Sequence, residues 1–190
     1  MEIFIYLAAA CWATFLIVWA VTSFGIKKSV GGWGRWLAVR AILLAVIFAV
    51  LGNKIFTGDS VHMSRASGPA NIPLGVIGVL LCMAGIGFAI WARKHLGKNW
   101  GMPMSIKEKP DLVTTGPYTY VRHPIYTGML LALAGSAIVG GQWEWLVPAA
   151  LFAAYFVYSA KVEEKNMSKI FPDQYPEYKK RSKMLIPFVF

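Results

Sequence analysis

The chain has 190 residues, of which 57% are hydrophobic and only 15% charged, against roughly 25% charged in ordinary soluble domains. That balance excludes a disordered chain, a nucleic-acid arm and an ordinary soluble enzyme. It leaves an all-α integral membrane protein, provided the apolar residues come in blocks long enough to span.

They do. Between Glu2 and Lys27 lie 24 uncharged residues, and between Arg65 and Arg93 lie 27. A spanning helix needs about 20, so each block predicts one span. Between His123 and Lys161 lie 37 residues with Glu144 as the single charge. That predicts two short spans joined at Gly140-Gly141-Gln142-Trp143-Glu144. A weaker stretch from Trp36 to Asn53 contains Arg40, which is read as reaching the interface. The expectation is five spans, at about 3–25, 36–53, 70–92, 124–142 and 145–160. They form a single membrane domain over 1–190, with three spans in 1–92 and two in 93–190.

The charges orient this bundle. Segments 26–40, 93–123 and 161–190 hold 17 of the 19 Lys and Arg residues, and only Lys54 and Arg65 fall elsewhere. An excess of basic residues marks the cytoplasmic side, so the N-terminus is expected outside and the C-terminus inside. The net charge of +10 is then membrane orientation, with no nucleic-acid motif beside it. Trp33, Trp36, Trp100, Trp143 and Trp145 fall near predicted span ends, where indoles are favoured. The first block lacks the basic start of a signal peptide and is too long for one. Cys11 and Cys82 both sit inside spans and read as packing residues, not as a disulfide, metal ligands or nucleophiles. No metal site is expected.

Chemistry is therefore expected at the cytoplasmic face. Gly116-Pro117 signals a turn, and Pro124 suits the first turn of the fourth span. Arg122 and His123 then precede a helix N-terminus, a natural anion site, with Tyr126 in the first turn. The plainer reading is a basic interfacial anchor.

On a helical wheel of 162–171, Val162, Met167, Ile170 and Phe171 share one face. Glu163 falls in the middle of that face, Glu164 near its boundary, and Lys161, Lys165, Ser168 and Lys169 opposite. A carboxylate so placed needs a partner: either an ion pair with Arg93, Arg122 or a lysine, or a bound ligand. If the fifth span runs on into this helix, Tyr155, Ser159, Val162 and Glu163 form one semi-polar stripe. The stripe would suit an amphiphilic substrate entering from lipid, or simple interhelical packing.

Several motifs carry a resemblance. They are Leu96-Gly97-x-x-Trp100, Gly116-Pro117-Tyr118-x-x-x-Arg122-His123-Pro124-x-Tyr126-x-Gly128, the pair Glu163-Glu164, and Tyr175-x-x-Tyr178-x-x-Arg181 followed by Leu185-Ile186-Pro187-Phe188. Over about 93–190 they resemble the isoprenylcysteine carboxyl methyltransferase family, to which phospholipid N-methyltransferases are related. The resemblance implies methyl transfer from S-adenosylmethionine, leaving S-adenosylhomocysteine, with 93–190 as catalytic core and without a Rossmann domain. Gly85-Ile86-Gly87 accordingly reads as helix packing. It implies a cofactor pocket using Asp111, Leu112 and Val113 through backbone, Tyr118 nearby, and His123, Pro124, Ile125 and Tyr126 as the main wall. Glu163 would hold the amino acid or ribose part of the cofactor. Arg122 with His123 could meet the cofactor's carboxylate, and Glu163 or Glu164 a cationic or hydroxyl group.

The protein's task in such chemistry is alignment and desolvation. A carboxylate or thiolate acceptor needs no base, whereas an amine does, for which Tyr126 and Glu163 are the candidates. Tyr155 and Ser159 are the candidate substrate contacts. Ser159 stands where isoprenylcysteine enzymes carry the arginine expected to meet the substrate carboxylate. A lipid amine, a thiol or another small amphiphile therefore competes with a prenylated acceptor.

Expected partners are membrane lipids and the amphiphilic substrate, with no nucleic acid, and the pattern sets no oligomeric state. A prokaryotic plasma membrane is favoured over endoplasmic reticulum. One rival is an NADPH-dependent membrane reductase, suggested by Tyr175-Pro176 and Ile186-Pro187-Phe188-Val189-Phe190. Its motif continues Asn-Tyr-x-Gly-Glu/Asp, whereas here Ile125-Tyr126-Thr127-Gly128-Met129 lacks the acid. The other rival is a non-catalytic membrane scaffold.

Overall fold

A computed structural model describes residues 2–31, 69–141 and 146–189. The described chain is mostly helical, with α1 (Glu2–Thr22), α2 (Ile72–Leu96), α3 (Pro124–Gly140), α4 (Leu146–Ile170) and α5 (Gln174–Arg181). Of these, α1 and the stretch Ile72–Asn99 are long and apolar enough to cross a membrane, and α3 is a shorter apolar helix. The expected span at 36–53, with Arg40, lies outside the described residues, as do Lys54, Arg65 and the tryptophans at 33, 36, 143 and 145.

Local chemistry sets the helix ends. Asn71 caps α2, its Oδ1 accepting from the Leu74 N–H at 3.0 Å. The helix runs past the expected boundary at 92 because Arg93, Lys94 and His95 sit in its last turn, where cations suit the helix dipole. It stops at Gly97, with φ +56°. Gly141, in the left-handed region, ends α3 by donating to Ala137 O and Ile138 O. The helix of the fifth expected span does not stop at 160. It continues without a break to Ile170, which carries Glu163 and Glu164 on a rigid extension.

Packing of α2 on α3 rests on glycines. A Cβ on Gly85 would lie 2.5 Å from Gly128 O and from Ala132 N, and one on Gly135 2.5 Å from Gly78 O. Only hydrogen atoms fit there, so the two backbones approach closely. Gly87 has nothing within 4 Å and plays no part in the contact. Helix α1 lies against this pair, with Trp12 Nε1 donating to Ser136 Oγ at 2.9 Å. Arg93, 2% exposed, ties the end of α1 to the end of α2 through Thr22 O and Gly97 O.

A two-stranded ribbon forms where no strand was expected. β1 (Ser29–Gly31) pairs antiparallel with β2 (Ile106–Lys107). It fixes Lys107, whose Nζ donates to Lys27 O at 2.9 Å and to Ser29 Oγ at 3.1 Å.

Candidate active site

The turn before α3 is held by the C-terminal segment. The Arg122 N–H donates to Lys183 O at 2.8 Å, and His123 N–H to Met184 O at 3.1 Å. In return, Lys183 N–H donates to Tyr120 O at 3.2 Å. Thr127 Oγ1 donates to Leu185 O at 2.6 Å. The distant motifs at 116–128 and 181–188 are thus two sides of one backbone pairing. Gly116 takes φ +61°, and a Cβ there would strike the His95 ring at 2.7 Å. Tyr118 is thereby placed in the core, where Tyr178 OH donates to its carbonyl at 2.6 Å. Burial pushes the Tyr178 phenol up to about 12 and raises Tyr118 as well, so both stay neutral.

Two carboxylates on α4 have different partners. Glu164 is 5% exposed. Its Oε1 takes Arg122 Nε at 2.6 Å and its Oε2 takes Lys179 Nζ at 2.8 Å. Burial pushes this carboxyl up, but the neighbouring His123, Lys179 and Arg122 outweigh it and leave the pKa at about 2. Arg122 also donates to Ser182 O. The wheel had put Glu163 deepest. The structure buries Glu164 more deeply, because its partners come from a different turn and from α5, which a single-helix projection does not contain.

Glu163 instead faces a cavity of about 390 Å³, within the usual range for small-molecule sites. Its Oε1 accepts from Tyr126 OH at 2.6 Å and from the Met104 N–H at 2.9 Å. Its Oε2 lies 3.4 Å from His123 Nδ1. The His123 ring stacks parallel on Tyr126 at 5.5 Å, and Tyr126 on Phe156 at 4.7 Å. Burial favours neutral His123, but Glu163 and Glu164 outweigh it and raise its pKa.

Of the expected residues, Asp111, Leu112, Val113, Tyr118, Arg122, His123, Ile125, Tyr126 and Glu163 all line this cavity. Pro124 is buried as the first residue of α3 and lies outside the lining. Glu164 is also outside it, and the Arg122 guanidinium is held by Glu164 and Ser182 O. The Asp111 carboxylate points to Lys27 Nζ at 2.7 Å and accepts from Asn99 Nδ2 at 3.2 Å, which together hold it below the usual carboxylate range. Tyr155 packs on Phe156 at 5.8 Å, and Ser159 is fully buried with an unpaired Oγ. Neither lines the cavity. Among the described residues no group of three or more His, Cys, Asp or Glu gathers as a metal site.

Sequence reasoning missed the apolar end of the cavity, made by Phe15 and Trp19 of α1 with Met129 and Phe156. It also missed the strap of residues 101–105, in which Met104 takes φ +63° while its N–H meets Glu163. No periodicity marks either feature. They depend on which helices become neighbours. Ser105 Oγ, on a lining residue, is buried without a hydrogen-bond partner, and the buried His123 Nε2 lies 3.6 Å from Glu164 Oε1.

A phospholipid methyltransferase family model matches residues 74–174. The chain is 27% identical over 172 residues to the cobalt-zinc-cadmium resistance protein CzcN of Cupriavidus metallidurans, covering 88% of this chain and 68% of that one. It is 38% identical over 80 residues to methanethiol S-methyltransferase 1 of Bradyrhizobium diazoefficiens, covering 42% and 27%. It is 32% identical over 121 residues to the protein-S-isoprenylcysteine O-methyltransferase of Xenopus laevis, covering 61% and 41%. The chain thus spans well under half the length of these two enzymes. Its fold is similar to that of the eukaryotic intramembrane Ras methyltransferase ICMT, with a TM-score of 0.62 at 19% identity over 95% of this chain and 63% of that one. With the family match covering more than half the chain, and the same motifs building the cavity, the chain belongs to the family of membrane methyltransferases that includes the phospholipid and isoprenylcysteine carboxyl methyltransferases.

Proposed function

We propose that this protein transfers a methyl group from S-adenosylmethionine to an amphiphilic acceptor reaching the cavity from the membrane, at the cytoplasmic face of a five-span, N-out/C-in bundle in a prokaryotic plasma membrane. The observation that carries this reading is the convergence of Glu163, His123 and Tyr126 in one mostly apolar cavity at the start of α3. The donor set fits the cofactor. Glu163 Oε2 is open to an ammonium or ribose hydroxyl, the unpaired Ser105 Oγ offers a further polar contact, and Tyr126, Phe156 and Trp19 give apolar surface. When bound, the cofactor supplies an electrophilic methyl group for in-line displacement. The chain's own part is to align the acceptor and exclude water. Tyr126, Phe156, Phe15 and Trp19 would form the dry wall, and the 101–105 strap, fastened to Glu163 through Met104, the cover.

The cations at the cavity favour a thiol or amine acceptor over a carboxylate. Arg122 is held by Glu164 and Ser182 O, Lys107 by Lys27 O and Ser29 Oγ, and Ser159 replaces the arginine of the isoprenylcysteine enzymes. Relatives named for methanethiol accord with this preference.

Calorimetry on the purified protein in detergent should show S-adenosylhomocysteine binding, lost in Glu163→Gln, with no NADPH binding. Binding of NADPH alone would overturn the methyltransferase reading. A labelled-methyl screen across prenylcysteines, lipid amines and thiols then identifies the acceptor.

A further inference from the structure

The cavity leaves one charged region of the described residues unexplained. Lys179, Lys180 and Arg181 form the last turn of α5, and Lys183 follows directly. With Arg122 and Val189, these lysines line a second, open depression of about 290 Å³. Two carboxylates face the cluster. Glu164 is taken up by Arg122 and Lys179, and Glu177 pairs with Lys180 at 2.6 Å. Four lining cations, Arg122, Lys179, Lys180 and Lys183, against two carboxylates leave the depression positive.

The chain next to it is apolar and uncovered. Ile186 is 52% exposed, Phe188 84% and Val189 73%. Phe188 takes φ +66°, a backbone state that a non-glycine residue seldom adopts. Tyr120, whose carbonyl binds the Lys183 N–H, is 54% exposed beside them. This edge stands at the end of the molecule where α2 finishes in Arg93-Lys94-His95 and α3 begins.

We propose that segment 179–189 is a docking site for an anionic phospholipid, with the headgroup phosphate in the Lys179/Lys180/Lys183 depression and Ile186, Phe188 and Val189 in the acyl region. The charge selects an anion. The apolar rim selects one that carries hydrocarbon, because a soluble phosphate would leave Phe188 and Val189 in water. Basic residues beside exposed aromatic and aliphatic side chains are the pattern of an interfacial lipid contact. Because the same segment clamps Arg122 and His123 through Lys183 O and Met184 O, a bound lipid would steady the turn that starts α3. The inference does not depend on which methyl acceptor the protein uses, or on the methyl-transfer reading.

The test is native mass spectrometry of the full chain in neutral detergent, titrated with phosphatidylglycerol, phosphatidylcholine or glycerol phosphate. The phosphatidylglycerol adduct should form at least about tenfold more tightly than the phosphatidylcholine adduct and should weaken with salt. Glycerol phosphate should not displace it. Each surface lysine is worth about fivefold at an anionic headgroup layer, so the doubly substituted K180Q/K183Q chain should bind about 25-fold more weakly. Phe188→Ser should weaken the lipid adduct without creating phosphate binding. Circular dichroism confirms that each variant is helical, and the salt titration of the unsubstituted chain reads the charge dependence without any variant. Equal adducts with the two lipids, undiminished binding by K180Q/K183Q, or full displacement by glycerol phosphate would each overturn the proposal.

Discussion

Glu164→Ala separates the structural role of the paired acids from the functional one. The side chains of Glu164 and Arg122 are 6% and 8% exposed, with Nε to Oε1 at 2.6 Å. Removing the acid strands a buried guanidinium, which costs about 3–5 kcal/mol. A second route gives a similar size. A carboxyl moved from 4.5 to about 2 corresponds to about 3 kcal/mol at 1.36 kcal/mol per unit. Lys179, 43% exposed, adds little because water screens it. A loss of about 3 kcal/mol should lower the melting midpoint by about 6–12 °C for a chain of this size.

The sign with pH follows from the direction of each shift. Glu164 is depressed, so its contribution is fully present above the unfolded value near 4.5 and is lost as pH falls toward 2. His123 is raised, so its contribution is present below the unfolded value near 6.5 and is lost as pH rises through the raised one. Circular-dichroism melts in detergent between pH 3 and 9 give both edges, and Glu164→Gln should flatten the acid one. The control is Glu177→Ala, which removes a pair whose side chains are 72% and 68% exposed and should change the midpoint by a degree or two at most. If Glu164→Ala melts no lower than Glu177→Ala, the buried network is not what holds α4 to the turn before α3, and the reasoning fails.

Gly128→Val should destabilise by about 1–3 kcal/mol or more through overpacking, since a Cβ there would meet Gly85 O at 2.5 Å, whereas Gly87→Ala, with nothing within 4 Å, should be neutral or slightly stabilising; paired melts check both. Tyr178→Phe removes the hydroxyl that binds Tyr118 O at 2.6 Å and should cost about 1–3 kcal/mol, because the buried carbonyl loses its donor; the melting midpoint reads it. Asp111→Asn should leave S-adenosylhomocysteine affinity within about twofold by calorimetry, because the carboxylate is 70% exposed and faces Lys27, away from Glu163 and His123, and exposed pairs contribute little.

What the sequence made legible follows from the range of each interaction. Long uncharged blocks report their own solvent, so α1, α2, α3 and the start of α4 fall near the expected boundaries. Gly85-Ile86-Gly87 reads as packing because a phosphate loop does not occur inside an apolar block; Gly85 does meet α3, while Gly87 has nothing within 4 Å. The helix α2 runs to Leu96, past the expected span end at 92, because charge marks where a membrane ends and not where a helix does. The β1–β2 ribbon had no signal, since three residues and two give no alternation to read. The depth of Glu164 was missed for the same reason as the Met104 strap. Both depend on partners many positions away that only the folded chain brings near.

The adjacent acids divide between two surroundings. Glu164 carries the ionic load: Arg122 and Lys179 hold it to the turn before α3 and to α5, and its oxygens are turned from the cavity. That arrangement frees Glu163 from pairing with Arg122, one of the partners that the sequence offers it beside Arg93, a lysine or a bound ligand. Glu163 is held by a phenol and a backbone N–H on one oxygen, while the other faces His123 across 3.4 Å. With one oxygen so fixed, the other keeps an open lone pair. If the two acids exchanged partners, Arg122 would neutralise the cavity carboxylate and the bundle would lose its clamp. Consecutive positions on a rigid helix, about 100° apart, are therefore what allow one turn of α4 to anchor the fold with Glu164 while Glu163 faces the cavity.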